Sequence, residues 1–257
     1  MEYILIGTVT FLGACLTLFS GFGLGTLLMP VFGIFFPIEL AIALTAVVHF
    51  SNNLIKLGFY YRQLDWSIIV RFGIPSVIAA IAGAFLLNFL SDQKPIYTYM
   101  VYSHAFSITP IKLTISFLLM IFSMIELIPR LSDIRFDKKF MPVGGFLSGF
   151  FGGLSGNQGA LRSAFLIRAE PTKEMFIGTG VVIACFVDIT RLSVYSERII
   201  GTIDNSDILL LIVAVSCAFA GVYSGSRLIK KITIKTLQSL VAVMLLIFSI
   251  LLGSGIL

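Results

Sequence analysis

The chain repeats itself: a pattern in its first half returns 135 residues later in its second half. The pair Ser20-Gly21 returns as Ser155-Gly156. At the same displacement, further positions match in identity or chemical type: Glu39 with Glu174, Asn53 with Asp188, Lys56 with Arg191, Leu57 with Leu192 and Tyr60 with Tyr195. Two related apolar halves are typical of secondary transporters, whose binding sites lie between the halves.

The two copies are too apolar for a water-soluble protein. Hydrophobic residues make up 58% of the chain and charged residues only 12%, so the surface must face lipid. We predict a multi-pass cell-membrane protein with one membrane domain, in which residues 1–129 form the first repeat, 130–140 a cytoplasmic linker and 141–257 the second repeat. The net charge of +5 does not indicate nucleic-acid binding, because the basic residues lie mainly in loops between apolar segments.

Eight apolar segments are long enough, or nearly so, to span a bilayer, which takes about 20 residues. They are 3–36, 39–61, 66–90, 111–129, 140–167, 174–195, 206–229 and 236–257. The first and fifth are too long for a single crossing, and glycine clusters at 21–25 and 152–159 interrupt them. Glycine weakens a helix by about 1 kcal/mol relative to alanine, so each of these segments is predicted to be two short helices joined by an irregular turn.

The distribution of lysine and arginine tests how the broken segments run. If every segment crosses once, the basic residues outside the bilayer divide seven against eight, which gives no orientation. If segments one and five turn back, twelve lie on one side and only Lys94, Lys112 and Arg198 on the other, as the positive-inside rule requires. The expected fold is therefore all-α, with two inverted four-segment repeats that each open with a broken or re-entrant helical hairpin. Both termini are expected outside the cytoplasm.

The glycine-rich motifs resemble those of the sulfite exporter TauE/SafE family. In the first half these are Gly21-Phe22-Gly23-Leu24-Gly25, then Pro30 and the stretch 41–46; in the second half they are Gly145-Phe146-Leu147-Ser148-Gly149 and Gly153-Leu154-Ser155-Gly156. The resemblance covers nearly the whole chain. It implies a transporter of small sulfur-containing or organic anions, such as sulfite or sulfonates. The sequence departs from the commoner family pattern where Asn157-Gln158 and then Arg162 follow the second glycine cluster.

Polar groups within apolar segments usually face a cavity, because a charge at the bilayer centre costs about 2.5–3.5 kcal/mol. Arg162 follows the second glycine turn, where a helix N-terminus would favour an anion. Lys56 and Arg191 are repeat mates, and each lies three positions after Asn53 or Asp188, on the same helix face. The predicted substrate-binding residues are Ser20, Gly21, Gly23, Asn52, Asn53, Lys56, Ser155, Gly156, Asn157, Gln158, Arg162, Asp188 and Arg191.

Several residues keep a second interpretation. Lys56 and Arg191 would instead extend towards the interface if the nearby tyrosines mark it. Asp188 and Arg191 would neutralise each other, and Arg162 would be a cytoplasmic surface charge. His49 allows a proton-coupling role, but the sequence favours a buried histidine with satisfied hydrogen bonds.

Three other functions compete with anion transport. A serine protease at Ser155 lacks a histidine after residue 104 to act as base, so no enzyme activity is expected. A cation-coupled or cation transporter would use Asp188, but three intramembrane basic groups outnumber that acid. A non-transporting membrane subunit is the third alternative. None of Cys15, Cys185 and Cys217 has a partner at metal-ligand spacing, so neither a metal nor a cofactor is expected.

Overall fold

The computed structural model describes residues 1–17, 23–128, 136–166, 172–228 and 234–257, and within these ranges the protein is mostly helical. The first half contains α1 (Glu2–Thr17), α2 (Leu24–Gly33), α3 (Ile38–Tyr60), α4 (Trp66–Ser91) and α5 (Pro110–Leu127). The second half contains α6 (Met141–Ser155), α7 (Gly159–Leu166), α8 (Lys173–Thr202), α9 (Asn205–Leu228) and α10 (Ile234–Gly253). Among the described residues each half thus holds five helices, and we call helices five places apart counterparts.

The long helices are membrane-spanning by length and composition. Among the described residues, five helical stretches meet both requirements: Ile38–Tyr60, Trp66–Ser91, Pro110–Leu127, Lys173–Glu197 and Asn205–Ser226. Their outer faces carry exposed large apolar side chains, such as Phe85, Phe117 and Ile212, which water would not favour. The protein is thus a multi-pass membrane protein, as predicted.

Both long segments are broken where the glycine clusters predict. In the second half, α6 ends at Ser155, and Gly156 takes a left-handed conformation with φ of 79°, which an L side chain rarely adopts. The short α7 then runs back beside α6: Gly152 faces Gln158 near the turn, and Gly144 faces Phe165 at the open end. In the first half, α1 and α2 lie on either side of residues 18–22, which are outside the described residues.

The broken helices pack against long helices of the other half. Along α4 and α6, the neighbouring pairs are Phe72 with Gly145, Ser76 with Gly149 and Ala80 with Gly153. The glycines are spaced by four residues, so they form one stripe that lets the two backbones approach closely. Along α1 and α9, the corresponding pairs are Gly7 with Cys217, Phe11 with Gly221 and Cys15 with Gly225. In both pairs of helices the two residue numbers rise together, so the helices run parallel.

Two counterpart pairs, α3 with α8 and α5 with α10, in contrast pack in antiparallel orientation. Between α3 and α8, Tyr60 lies beside Gly178, His49 beside Asp188, and Ala43 packs in the same cluster as Tyr195. Between α5 and α10, the Ser116 hydroxyl donates to the Ser249 carbonyl at 2.6 Å and the Ser123 hydroxyl to the Ala242 carbonyl at 2.6 Å. In both pairs one number rises as the other falls. The core of the molecule is therefore formed by both halves together.

One element departs from the all-α expectation. The strands β1 (Tyr97–Val101) and β2 (His104–Ile108) form an antiparallel hairpin after α4. The tyrosines, valine, threonine and isoleucine of this stretch favour strands, although no strand was predicted there. The Tyr99 hydroxyl donates to the Ser254 carbonyl at 2.7 Å, which fixes the hairpin to the end of α10.

Candidate functional site

The two helix breaks meet the middle of the antiparallel pair α3 and α8. Gly23, just before α2, lies against His49 of α3, where a Cβ atom on the glycine would come within 3.0 Å of the ring Nε2. Gly156, in the turn between α6 and α7, lies against Arg191 of α8, where a Cβ atom would come within 2.7 Å of Nη1. Glycine at both positions therefore lets backbone approach a buried polar side chain closely.

A buried carboxylate organises the centre. Asp188 has no exposed surface, and its Oδ2 lies 2.6 Å from Nδ1 of His49. Asn53, its repeat mate, donates to the same oxygen at 3.4 Å. The other oxygen, Oδ1, accepts from Nε2 of Gln158 at 3.3 Å and from Nε of Arg191 at 3.0 Å. One carboxylate therefore joins α3, α8 and the turn before α7.

Arg191 is also completely buried, so it does not extend to the interface. Its Nη2 lies 2.8 Å from Oδ1 of Asp188, close enough for an ion pair. Neither Nη1 nor Nη2 has a hydrogen-bond partner of good geometry among the described residues. A buried guanidinium normally uses these donors, so this end of Arg191 is open to a further acceptor.

Two more basic side chains line a neighbouring cavity of about 30 Å³. Lys56 is 4% exposed and Arg162 is 8% exposed, so neither is a surface charge. Nζ of Lys56 donates weakly to the Thr17 carbonyl at 3.5 Å, and Nη1 of Arg162 donates to Oε1 of Gln158 at 3.3 Å. Within the described part of the chain, neither of them pairs with an acid.

We call the following residues the central polar cluster: His49, Asn53, Lys56, Gln158, Arg162, Asp188 and Arg191. Other buried polar atoms near the breaks lack hydrogen-bond partners within the described ranges: Oγ1 of Thr17, both amide atoms of Asn52 and Oδ1 of Asn157. Unpaired buried polar atoms are uncommon in native proteins and point to a missing partner such as a ligand or water.

Most of the residues proposed from sequence lie at this centre. Gly23, Asn53, Lys56, Gly156, Gln158, Arg162, Asp188 and Arg191 form it or contact it directly. Asn52 is buried on α3, while Ser155 bonds to the Phe151 carbonyl at 3.0 Å and accepts from Asn157 at 3.4 Å. Ser20 and Gly21 lie outside the described residues.

Two residues of the centre were not proposed from sequence. Thr17 lines the cavity, and its position directly before the first break was the only signal. His49 bonds to Asp188 and lines the same cavity. It lies one helical turn before Asn53, so its position on that helix face was readable from the sequence, but its partner 139 residues away was not.

The cluster does not have the composition of a metal centre. Within the described residues, no three His, Cys, Asp or Glu side chains are grouped to hold a metal ion. The arrangement offers amide and cationic donors, which suit an oxyanion.

Comparison with known protein families matches residues 5–252 to the family described as Sulfite exporter TauE/SafE. Comparisons with curated proteins and with solved structures give no match.

Proposed function

Since the chain belongs to the sulfite exporter TauE/SafE family, we propose that it binds a small sulfur-containing or organic anion in the central polar cluster. Family membership makes the protein a membrane transporter of sulfite or related anions, and not an enzyme. In this proposal the protein is a secondary transporter, and the anion passes the two helix breaks on its way across the membrane.

The charge of the buried centre is the observation that carries this proposal. Three basic side chains, Lys56, Arg162 and Arg191, are buried with a single carboxylate, Asp188. With His49 neutral, the formal charge of these groups is +2. Uncompensated buried charge is costly in a low-dielectric environment, and an anion would compensate it.

The donors around the cavity suit an oxyanion that leaves water. Such an ion must exchange its hydration shell for fixed hydrogen bonds and for opposite charge. Lys56 and Arg162 supply charge next to the cavity, while Asn53 and Gln158 supply amide groups nearby. Nη1 of Arg191, which has no hydrogen-bond partner among the described residues, supplies a further donor on the side of the Gly156 turn.

A cation transporter that uses Asp188 is the less favoured alternative. The carboxylate already receives hydrogen bonds from Asn53, Gln158 and Arg191, and His49 lies within 2.6 Å. A metal cation would have to displace these donors and then tolerate three nearby positive charges.

The cavity has to enlarge before the anion enters. A volume of about 30 Å³ holds about two waters, whereas sulfite has four non-hydrogen atoms. The hairpin of α6 and α7 is the element best suited to move, because α6 is shorter than the bilayer is thick. With fifteen residues, α6 is about 22 Å long, against about 30 Å for the hydrocarbon core.

An inverted relation between the halves would make such movement alternate between the two faces. The antiparallel packing of α3 with its counterpart α8, and of α5 with α10, supports this relation. The parallel packing of α1 with α9 and of α4 with α6 supports a two-fold relation between the halves, since these helices hold exchanged places in them. Inverted repeats with midplane sites are a common basis of alternating access.

Thermal unfolding of the purified protein in a panel of anions tests the proposal. Sulfite and a short sulfonate such as methanesulfonate are expected to raise the melting temperature, because a ligand that binds only the folded state stabilises it. Stabilisation by sodium or potassium ions, with no response to the anion, would instead support the cation alternative. Flux of the stabilising anion into proteoliposomes separates a transporter from a non-transporting subunit.

A further inference from the structure

His49 has a place in the site that anion binding alone does not explain. The side chain is 2% exposed and lines the cavity together with Lys56 and Arg162. Its Nδ1 lies 2.6 Å from Oδ2 of Asp188, and its Nε2 points towards Gly23 at the start of α2. One ring nitrogen is therefore engaged with the carboxylate, while the other lies on the side of the first helix break.

The short contact to Asp188 determines which nitrogen of the neutral ring carries the proton. Two lone pairs 2.6 Å apart would repel, so a proton lies between Nδ1 and the carboxylate oxygen. In the neutral ring, Nε2 is then a hydrogen-bond acceptor. Uptake of a proton converts Nε2 into a donor and adds one positive charge beside the cavity.

The charged and titratable groups around the ring come from three helices. On α8 these are Asp188 and Arg191; on α7 Arg162; and on α3 Lys56, which lines the same cavity. The residues of the first break that line the cavity, Thr17 and Gly23, are uncharged. The basic groups disfavour a proton on His49 when the cavity is empty, and an anion in the cavity would offset that repulsion.

We infer that His49 takes up one proton when the anion binds, so that the protein carries the anion and the proton together in the same direction. This inference rests on the proposed anion transport. The proton adds to Nε2 from water in the open cavity, and it leaves from Nε2 when the anion departs on the other face. Asp188 stays ionised throughout, since Arg191, Gln158 and Asn53 hold its charge. Linkage is reciprocal, so low pH strengthens anion binding as much as the anion strengthens proton binding.

The first test measures the affinity of the purified protein for methanesulfonate, and for sulfate as a second probe, between about pH 5 and pH 8. These anions keep their charge over this range, so any change in affinity belongs to the protein. The dissociation constant is expected to rise as the pH rises, by up to about tenfold per pH unit once His49 is mainly neutral. A dissociation constant that is independent of pH would overturn the inference even if the anion binds well.

The second test follows protons directly in proteoliposomes that contain a pH-sensitive dye, with the membrane potential clamped. The parent protein is expected to move about one proton with each methanesulfonate ion. His49→Gln keeps hydrogen-bonding groups but cannot take up the proton, so we expect any anion that it carries to move without a proton, and its anion binding to depend less on pH than that of the parent. His104→Gln, in the exposed β-hairpin, is the matched control and should behave as the parent.

The outcomes separate the two proposals. Anion flux in the parent protein without proton movement, or unchanged proton movement in His49→Gln, would refute the coupling and leave anion transport intact. No flux of any anion in the parent protein would refute transport itself.

Discussion

Arg162→Gln removes one buried charge from the proposed anion site while it keeps a polar side chain of intermediate length. In the native protein, Arg162 is 8% exposed, lines the cavity and donates one hydrogen bond to Gln158. A hydrogen bond to a charged group contributes about 1.5–3 kcal/mol. Loss of one such bond to a bound anion therefore predicts a dissociation constant raised by roughly 10- to 140-fold.

The same substitution should leave the free protein folded. Arg162 pairs with no acid in the described residues, so its removal breaks no ion pair and relieves repulsion from Lys56. The melting temperature without anion is expected to be unchanged or higher. Arg71→Gln makes the same chemical change at an exposed position of α4 and is the matched control for nonspecific loss of charge.

Isothermal titration calorimetry of the parent, Arg162→Gln and Arg71→Gln proteins, at one fixed salt concentration, measures the effect. We expect Arg162→Gln to bind the anion more weakly than the parent protein, and Arg71→Gln to bind it as tightly as the parent. If Arg162→Gln bound every transported anion as tightly as the parent, the side chain would not contact substrate. The anion site would then have to be centred on Lys56 and Arg191.

Three further predictions concern packing, the buried ion pair and orientation. Gly149→Ala places a methyl group against the backbone of Ser76, so thermal unfolding should show that the folded protein loses about 1–3 kcal/mol of stability. Gly58→Ala, with open space around it, should instead gain up to about 1 kcal/mol of stability. Equal effects of the two substitutions would contradict the close approach of α4 and α6. Asp188→Asn leaves buried basic groups without their acid and should cost about 3–5 kcal/mol, and a melting temperature equal to the parent's would show that the carboxylate is dispensable for the fold. With the three native cysteines replaced, an impermeant thiol reagent applied to intact cells should label cysteine at Tyr102, in the β-hairpin, but not at Lys138, before α6; the reverse pattern would invert the predicted orientation.

The sequence was a sufficient guide to the membrane segments because the information is local. Apolar length and glycine clusters each act within one segment, and the bilayer imposes the same demand on every segment. The two breaks therefore lie where the glycines predicted them, with α6 ending at Ser155 and α7 starting at Gly159. The β-hairpin was not predicted because its strands lie between two apolar segments, where that demand is absent.

Sequence reasoning also found most of the central polar cluster, because charged side chains are rare in apolar segments. For Lys56 and Arg191 it could not decide between the protein interior and the membrane interface, since both positions lie close to tyrosines. The structure buries both, at 4% and 0% exposure. Burial depends on what packs around a helix, and helix periodicity alone does not reveal that.

The repeat itself was determined by sequence, whereas the meeting of its two copies was decided only by tertiary packing. Asn53 and Asp188 are 135 residues apart and were identified as counterparts by spacing; their hydrogen bond exists because α3 and α8 cross in antiparallel orientation. The same crossing brings His49 to Asp188, although Ala184, the residue at its matching position, is apolar. A residue with no polar counterpart leaves no trace in a repeat pattern. Its role follows only from the partner that the fold brings within hydrogen-bond distance.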